Sequence, residues 1–254
     1  MNAILVERHD QVLHMTFNRP ERKNAFTAEM YGTLAATLRD ADADRHVRTV
    51  LLHGGETFTA GNDLRDFMER PPSSPESPVF QFMSAMAELS KPAVAAVGGV
   101  AVGIGTTLLL HCDLVYAAEG TRFQLPFVNL GLVPEFGSSL LLPRLAGHVR
   151  ASELLLLGMP FSAATAFELG LVNRVVAPAE LLSTATAAAV ALAKQPSAAV
   201  RATKALLKRP LARAVQDAVD EEVRVFAERL ASLEAAEAFQ AFFEKRTPNF
   251  SRFD

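Results

Sequence analysis

KPAVAAVGGVAVGIGTTLLL, residues 91–110, is the longest uncharged apolar run in the chain, and the way it divides decides the fold. Its length is that of a membrane-spanning helix, about 20 residues. Gly98, Gly99, Gly103 and Gly105 oppose that assignment, because each costs about 1 kcal/mol in a helix interior. The pattern predicts instead a buried strand over 92–97, a glycine turn, and a helix that opens near Ile104 and runs to 110. A helix starting just after glycines leaves backbone N–H groups unpaired and converging on one spot. That spot suits an anion, or an oxygen that becomes one. The plain alternative is a close-packed corner with no chemistry.

Composition narrows the setting of this run. The 254 residues suffice for one large domain or a domain with an appendage. With 50% hydrophobic and 21% charged residues, the chain is expected to bury a sizeable core and not to be disordered. A net charge of −3 offers no basic surface for nucleic acid. The single cysteine, Cys112, excludes an internal disulfide and a cysteine-based metal site. Glu7 and Asp10 argue against a signal peptide, and the final SRFD resembles no lipidation or retention signal. The expectation is a soluble cytoplasmic protein without a membrane partner.

Outward from the run, strands are expected over 4–6 and 12–17 around a turn at 8–11. A polar loop with Arg19, Arg22 and Lys23 follows, either solvated or a phosphate contact at the rim of a site. Thr27 is the expected N-cap of a helix whose Met30, Leu34, Leu38 and Ala41 share a face. A strand over 47–53 leads to FTAGNDL (58–64), where Gly61 relaxes the backbone and Asn62 or Asp63 caps a helix over 64–68. A mobile proline-rich loop over 70–78 and a helix over 79–89 return to the opening run.

Beyond that run come a buried strand over 113–117, an extended segment over 121–127, and turns at Gly131 and Pro134. Ser138 is the expected cap of a helix over 139–145, with Glu135 just ahead among apolar neighbours. Ser162 caps a helix over 163–169, and a strand returns over 171–176. From 179 onward the chain reads as alanine-rich helix broken at Pro196 and Pro210. Repeated strand–turn–helix units before a helical tail predict an α/β core with a C-terminal helical appendage. The tail's Phe226, Leu230, Leu233, Phe239, Phe242 and Phe243 exceed what a free arm could bury. They are expected to pack on the core or on another subunit.

The motifs exclude more chemistry than they admit. The six histidines show no spaced ligand pair, so no metal is expected, and His111 reads as a satisfied core histidine. The nucleophile elbow G-x-S-x-G is missing, and GVAVGIG lacks the dinucleotide G-x-G-x-x-G spacing. What remains is two glycine corners with N–H donors and a nearby lone acid. That set suits an enolate oxygen held by backbone donors, with a carboxylate moving the proton.

Six blocks in order carry a resemblance: NRPERKNAF (18–26), FTAGNDL (58–64), KPAVAAVGGVAVGIGTTLLLHCDLVYA (91–117), FQLPFVNLGLVPEFGSS (123–139), AFELGLVNRVV (166–176) and FFEKRTPNF (242–250). Over nearly its whole length the chain resembles the crotonase superfamily, the enoyl-CoA hydratase/isomerase family. The resemblance implies an α/β, crotonase-like spiral of ββα units over residues 1–190. It also implies a C-terminal helical trimerisation region over 191–254, giving a homotrimer or a dimer of trimers. The implied substrates are acyl-CoA thioesters, with coenzyme A entering as part of the substrate and no separate cofactor. Backbone N–H groups of Ala60 and Ile104 would form the oxyanion hole. Ala60, Gly61, Asn62, Asp63 and Leu64 would line the adenine and pantetheine path, with Arg22, Lys23 and Ala25 along the CoA. The loop 70–78 and the helix 79–89 would shape the acyl pocket.

Two departures sharpen the reading. Hydratases of this family hold two glutamates over the acyl chain, where this chain has Thr107 and Phe127. Both positions would face substrate, yet neither side chain activates water or donates a proton well. The PF-x-x-LGL-x-PE-x-x-SS pattern is similar instead to peroxisomal-type Δ3,Δ2-enoyl-CoA isomerases, where an acid at the position of Glu135 is the base. An apolar setting would raise the Glu135 pKa, and a following helix dipole would lower it. The alternatives that stay open are a hydratase or related lyase using Glu135, and a non-catalytic acyl-CoA-binding homologue.

Overall fold

The computed structural model describes residues 2–72 and 74–253; Ser73, within the loop expected to be mobile, and Met1 and Asp254 lie outside them. The chain opens with β1 (Ile4–His9) and β2 (Val12–Phe17), an antiparallel hairpin turning at Asp10 with φ +55°. Helix α1 (Ala28–Ala43) starts at the expected cap, where the Thr27 hydroxyl accepts the Met30 N–H. β3 (Thr49–His53), α2 (Leu64–Glu69) and α3 (Pro78–Glu88) follow. Asp63, and not Asn62, caps α2 by accepting from Arg65 and Asp66.

The opening run divides in three and not two. β4 (Ala93–Val97) is followed by an unforeseen strand β5 (Val100–Val102), and then by α4 (Ile104–Thr107). A 3-10 turn over Leu108–His111 completes it. β6 (Leu114–Ala118) and β7 (Arg122–Gln124) lead to α5 (Ser138–Ala146) and α6 (His148–Leu157). β8 (Phe161–Ser162), α7 (Ala163–Glu168), β9 (Arg174–Val176) and α8 (Leu181–Ala193) come next. α9 (Ser197–Lys208), α10 (Ala212–Leu230) and α11 (Leu233–Glu244) end the helical region. Its breaks at Pro196 and Pro210 are joined by a third at Ala231–Ser232, where Ser232 caps α11. No helix among the described residues is long and apolar enough to cross a membrane.

The strands form two sheets, and from β4 to β7 successive strands alternate between them. The large sheet has the order β1-β2-β3-β4-β6-β9, parallel beyond the first hairpin, and the small one has β5-β7-β8. Two turns, β4-β5-α4 and β6-β7-α5, each contribute one strand to each sheet and then a helix, the ββα unit of the spiral expected above. β4 is buried at all five positions, as a central parallel strand with both faces covered should be. Ala93, Ala95 and Val97 join the main core with α1 and α3 residues, while Val94 and Ala96 face the alanines of α8. The helical tail packs on the core, with Ala235 and Phe239 of α11 buried in it.

Candidate active site

The small sheet brings the two glycine corners together. Thr59 pairs in parallel with Ala101, its N–H donating to Val100 and its carbonyl accepting from Val102. Gly61 has φ +85°, and a Cβ there would lie 2.5 Å from the Val102 carbonyl oxygen. A Cβ on Gly105 would likewise lie 2.5 Å from the Thr59 methyl carbon and 3.1 Å from its carbonyl oxygen. Backbone therefore lies directly on backbone, which only glycine permits.

The loop before α1 clamps this arrangement. Asn24 is buried, and its amide donates to the Gly54 and Thr57 carbonyls while its oxygen accepts the Arg19 N–H. Arg19 donates to Asp63 at 2.7 Å and to the Ala25 carbonyl at 3.0 Å. Of the three cations of that loop, Arg19 is therefore structural, and its guanidinium pulls the Asp63 carboxyl below its ordinary range against the effect of burial.

One expectation is overturned here. The Ala60 N–H donates to the Lys23 carbonyl at 2.9 Å, so it cannot point at a ligand oxygen. Two residues on, the Asn62 N–H has no acceptor among the described residues, while its side-chain oxygen accepts from the buried Tyr31 hydroxyl. On the other corner, Ile104 opens α4, and its first-turn N–H is likewise without an acceptor among the described residues. The free donor pair is Asn62 and Ile104.

Both line a cavity of about 770 Å³ with Ala25, Ala60, Gly61, Asp63, Leu64, Phe127 and Glu135, all expected at the site. Arg22 lines it as expected, and Arg65 and Lys245 add two positive charges that the sequence reading did not single out. Lys23 is exposed and does not line it. Thr107 does not line it either. It is fully buried behind Glu135, and its hydroxyl donates to Glu135 Oε1 at 2.5 Å. Phe226, Phe242 and Phe243 close the cavity from the C-terminal helices. A second cavity of about 540 Å³ lies between α3 and α10, borders Phe136, and shares Phe226 with the first.

Glu135 is 8% exposed, and its Oε2 is buried with no protein partner. Burial pushes its pKa up to about 8, against the Thr107 hydrogen bond, with Glu222 adding a repulsive charge. Ser138 is not the helix cap expected; α5 already begins there, and its N–H and hydroxyl both bond the Glu135 carbonyl. His111 is a buried core histidine as expected, donating to the Phe136 carbonyl at 2.8 Å and stacked on its ring. Among the described residues no three His, Cys, Asp or Glu side chains form a metal-holding group.

Residues 7–252 match the family described as enoyl-CoA hydratase/isomerase. The 1,2-epoxyphenylacetyl-CoA isomerase of Escherichia coli K12 is 38% identical, over 99% of both chains. Enoyl-CoA delta isomerase 2 of Rattus norvegicus is 32% identical over 96% of this chain and 64% of its own. Other relatives of similar identity are named probable enoyl-CoA hydratases. A solved enoyl-CoA hydratase/isomerase from Pseudoalteromonas atlantica T6c superposes with a TM-score of 0.94 at 42% identity, over 98% of this chain and all of that one.

Proposed function

The chain belongs to the enoyl-CoA hydratase/isomerase family, and within that family of acyl-CoA enzymes we propose that it shifts the double bond of a 3-enoyl-CoA to the 2-trans position. The observation that carries this reading is a single available acid. Asp63 is the only other carboxylate lining the cavity, and it is tied to Arg19. Thr107 and Phe127 occupy the positions of the two hydratase acids, and neither can activate water.

In this mechanism the Asn62 and Ile104 N–H groups hold the thioester carbonyl oxygen and acidify the C2 protons. Glu135 Oε2 removes one, and the electron pair spreads over a dienolate whose oxygen the two donors stabilise. The same carboxyl then returns the proton to C4. No water is added, so one shuttling acid suffices, and no cofactor beyond the CoA of the substrate is needed. Arg22, Arg65 and Lys245 supply charge for the CoA phosphates, and the cavity beside α3 and α10 would take the acyl tail. Exposed Val149, Leu156, Leu157, Met159 and Phe167 offer an apolar face for a homotrimer or dimer of trimers, with residues 191–254 as the helical region that assists it.

The test offers the purified protein a 3-enoyl-CoA and, separately, crotonyl-CoA. Formation of the 2-trans isomer, abolished in Glu135→Gln and rising with pH through about 8 as Glu135 loses its proton, is the expected result. Hydration of crotonyl-CoA at comparable kcat/KM would replace the isomerase by a hydratase. Binding of CoA esters with neither reaction would leave a binding protein. The name of the Escherichia coli relative makes 1,2-epoxyphenylacetyl-CoA a further substrate to include.

A further inference from the structure

Helix α10 brings one more carboxylate to the corner that carries Glu135. Glu222 is buried, 6% exposed, and in no ion pair among the described residues. Its two oxygens accept the N–H groups of Gly137 at 2.6 Å and Ser139 at 2.9 Å, orphan donors at the start of α5. The first of these bonds falls between two successive left-handed residues directly after Glu135: Phe136 at φ +61° and Gly137 at φ +72°. A phenylalanine held there costs about 1–2 kcal/mol and persists only when its neighbours fix it. Ser138 fixes the Glu135 carbonyl, His111 fixes the Phe136 carbonyl, and Glu222 fixes the Gly137 and Ser139 N–H groups. Only the last of these anchors comes from the C-terminal helices.

The same contact changes the electrostatics. The N-terminus of α5 is the positive end of a helix dipole, which would favour Glu135 as an anion and weaken it as a base. Glu222 takes up that end; burial raises its own carboxyl pKa against the Ser139 and Gly137 hydrogen bonds, and as an anion it adds a like charge that bears on Glu135. The other titratable groups around the corner are Tyr31 from α1, whose pKa burial raises, and His111 from the 3-10 turn, held down at about 4 by burial. Both are uncharged at neutral pH. Lys204 and Lys208 of α9 bear on His111 from behind.

We infer that Glu222 is a positioning residue: from α10 it fixes the Glu135 corner and occupies the positive end of α5, leaving Glu135 the stronger base. The inference rests on Glu135 as the proton shuttle proposed above. Glu222→Gln keeps the volume and removes the charge, while Glu222→Asp keeps the charge with a shorter reach. Two readouts apply: the pH profile of kcat and KM on a 3-enoyl-CoA, and the Glu135 carboxyl titration by carbon NMR, assigned with Glu135→Gln. In Glu222→Gln the titration falls by about one pH unit. There kcat drops about ten-fold or more, while KM stays within about two-fold. Glu222→Asp recovers the titration midpoint and part of kcat. A folded Glu222→Gln with unchanged titration and kcat overturns the inference, and so does failure of both variants to fold, which would make Glu222 a structural anchor only. If the wild type turns over no CoA ester while the titration still shifts in Glu222→Gln, the isomerase reading fails and the coupling of Glu222 to Glu135 stands.

Discussion

Glu135→Gln exchanges a carboxyl held uncharged by burial for an amide of nearly the same shape. Thr107 can still donate to the amide oxygen at position 135, whose other terminal atom replaces the buried Oε2 that has no partner among the described residues. The folded pKa is about 8 against an ordinary 4.5, so the unfolded chain releases this proton first as pH rises. The stability linked to the group is therefore complete below about pH 4.5 and lost progressively up to about pH 8. The interval is 3.5 pH units (8 minus 4.5), which at about 1.4 kcal/mol per pH unit amounts to about 5 kcal/mol. Glutamine does not titrate and escapes this loss. Wild type and variant should melt together near pH 4 and separate by about 3 kcal/mol at pH 7 and about 5 kcal/mol at pH 9. For a chain of this size, the pH 9 gap corresponds to a Tm raised by about 10–20 °C. Paired calorimetric melts at pH 4, 7 and 9 measure it, and parallel Tm-against-pH curves for the two proteins would refute the claim that Glu135 is buried uncharged. The inactive protein is then the more stable one, the usual relation where a site holds an unfavourable group for its chemistry.

Thr107→Val removes a hydrogen bond that favours the ionised carboxylate, so the acid limb of kcat/KM should move upward by about one pH unit; a limb that stays put would show that Thr107 does not act on Glu135. Gly61→Ala forces a side chain into φ +85° and against the Val102 carbonyl at 2.5 Å, and should cost about 2 kcal/mol or more in melting experiments together with most of kcat. Wild-type turnover in that variant would mean that the two corners need not touch. Glu237 is buried between Arg246 and Arg252 and accepts the Asn249 N–H, which together hold its carboxyl down at about 2. Its stabilisation is thus present above the ordinary glutamate range and lost as pH falls toward 2. Glu237→Gln should lower Tm at pH 7 and converge on wild type near pH 2, whereas a gap constant with pH would refute the ion-pair account.

Much of this was legible in the chain because the relevant signals are local. Thr27 and Ser162 sit at helix starts as hydroxyl caps do, and both accept the bonds that position implies, whereas the Ser232 cap lay hidden in a stretch that reads as continuous helix. Glu135 stood out as a lone acid in an apolar segment. The donor pair was half legible: Ile104 follows from its glycine corner, but choosing between Ala60 and Asn62 depends on the Lys23 carbonyl, 37 residues earlier, which takes up one N–H. β5 escaped notice because three residues between glycines give no alternation to read. Thr107 looked like an absence, since only the folded chain brings its hydroxyl to position 135. Glu222 lies 85 residues from Gly137 in an amphipathic helix full of glutamates, where nothing distinguishes it from its solvated neighbours.

The contact between Gly61 and Val102 also bears on how such a protein can change over generations. The two free donors, at Asn62 and Ile104, are main-chain amides held in place by stacked backbone, so no side-chain replacement other than proline removes either N–H. In the proposed mechanism the proton-handling groups belong to another layer, the side chains at positions 107, 127 and 135. A lineage can therefore exchange the proton-handling groups one at a time while the enolate holder passes on unaltered. In this chain, under the proposed mechanism, that separation lets a threonine and a phenylalanine stand where two acids could, with the proton handled from a third position.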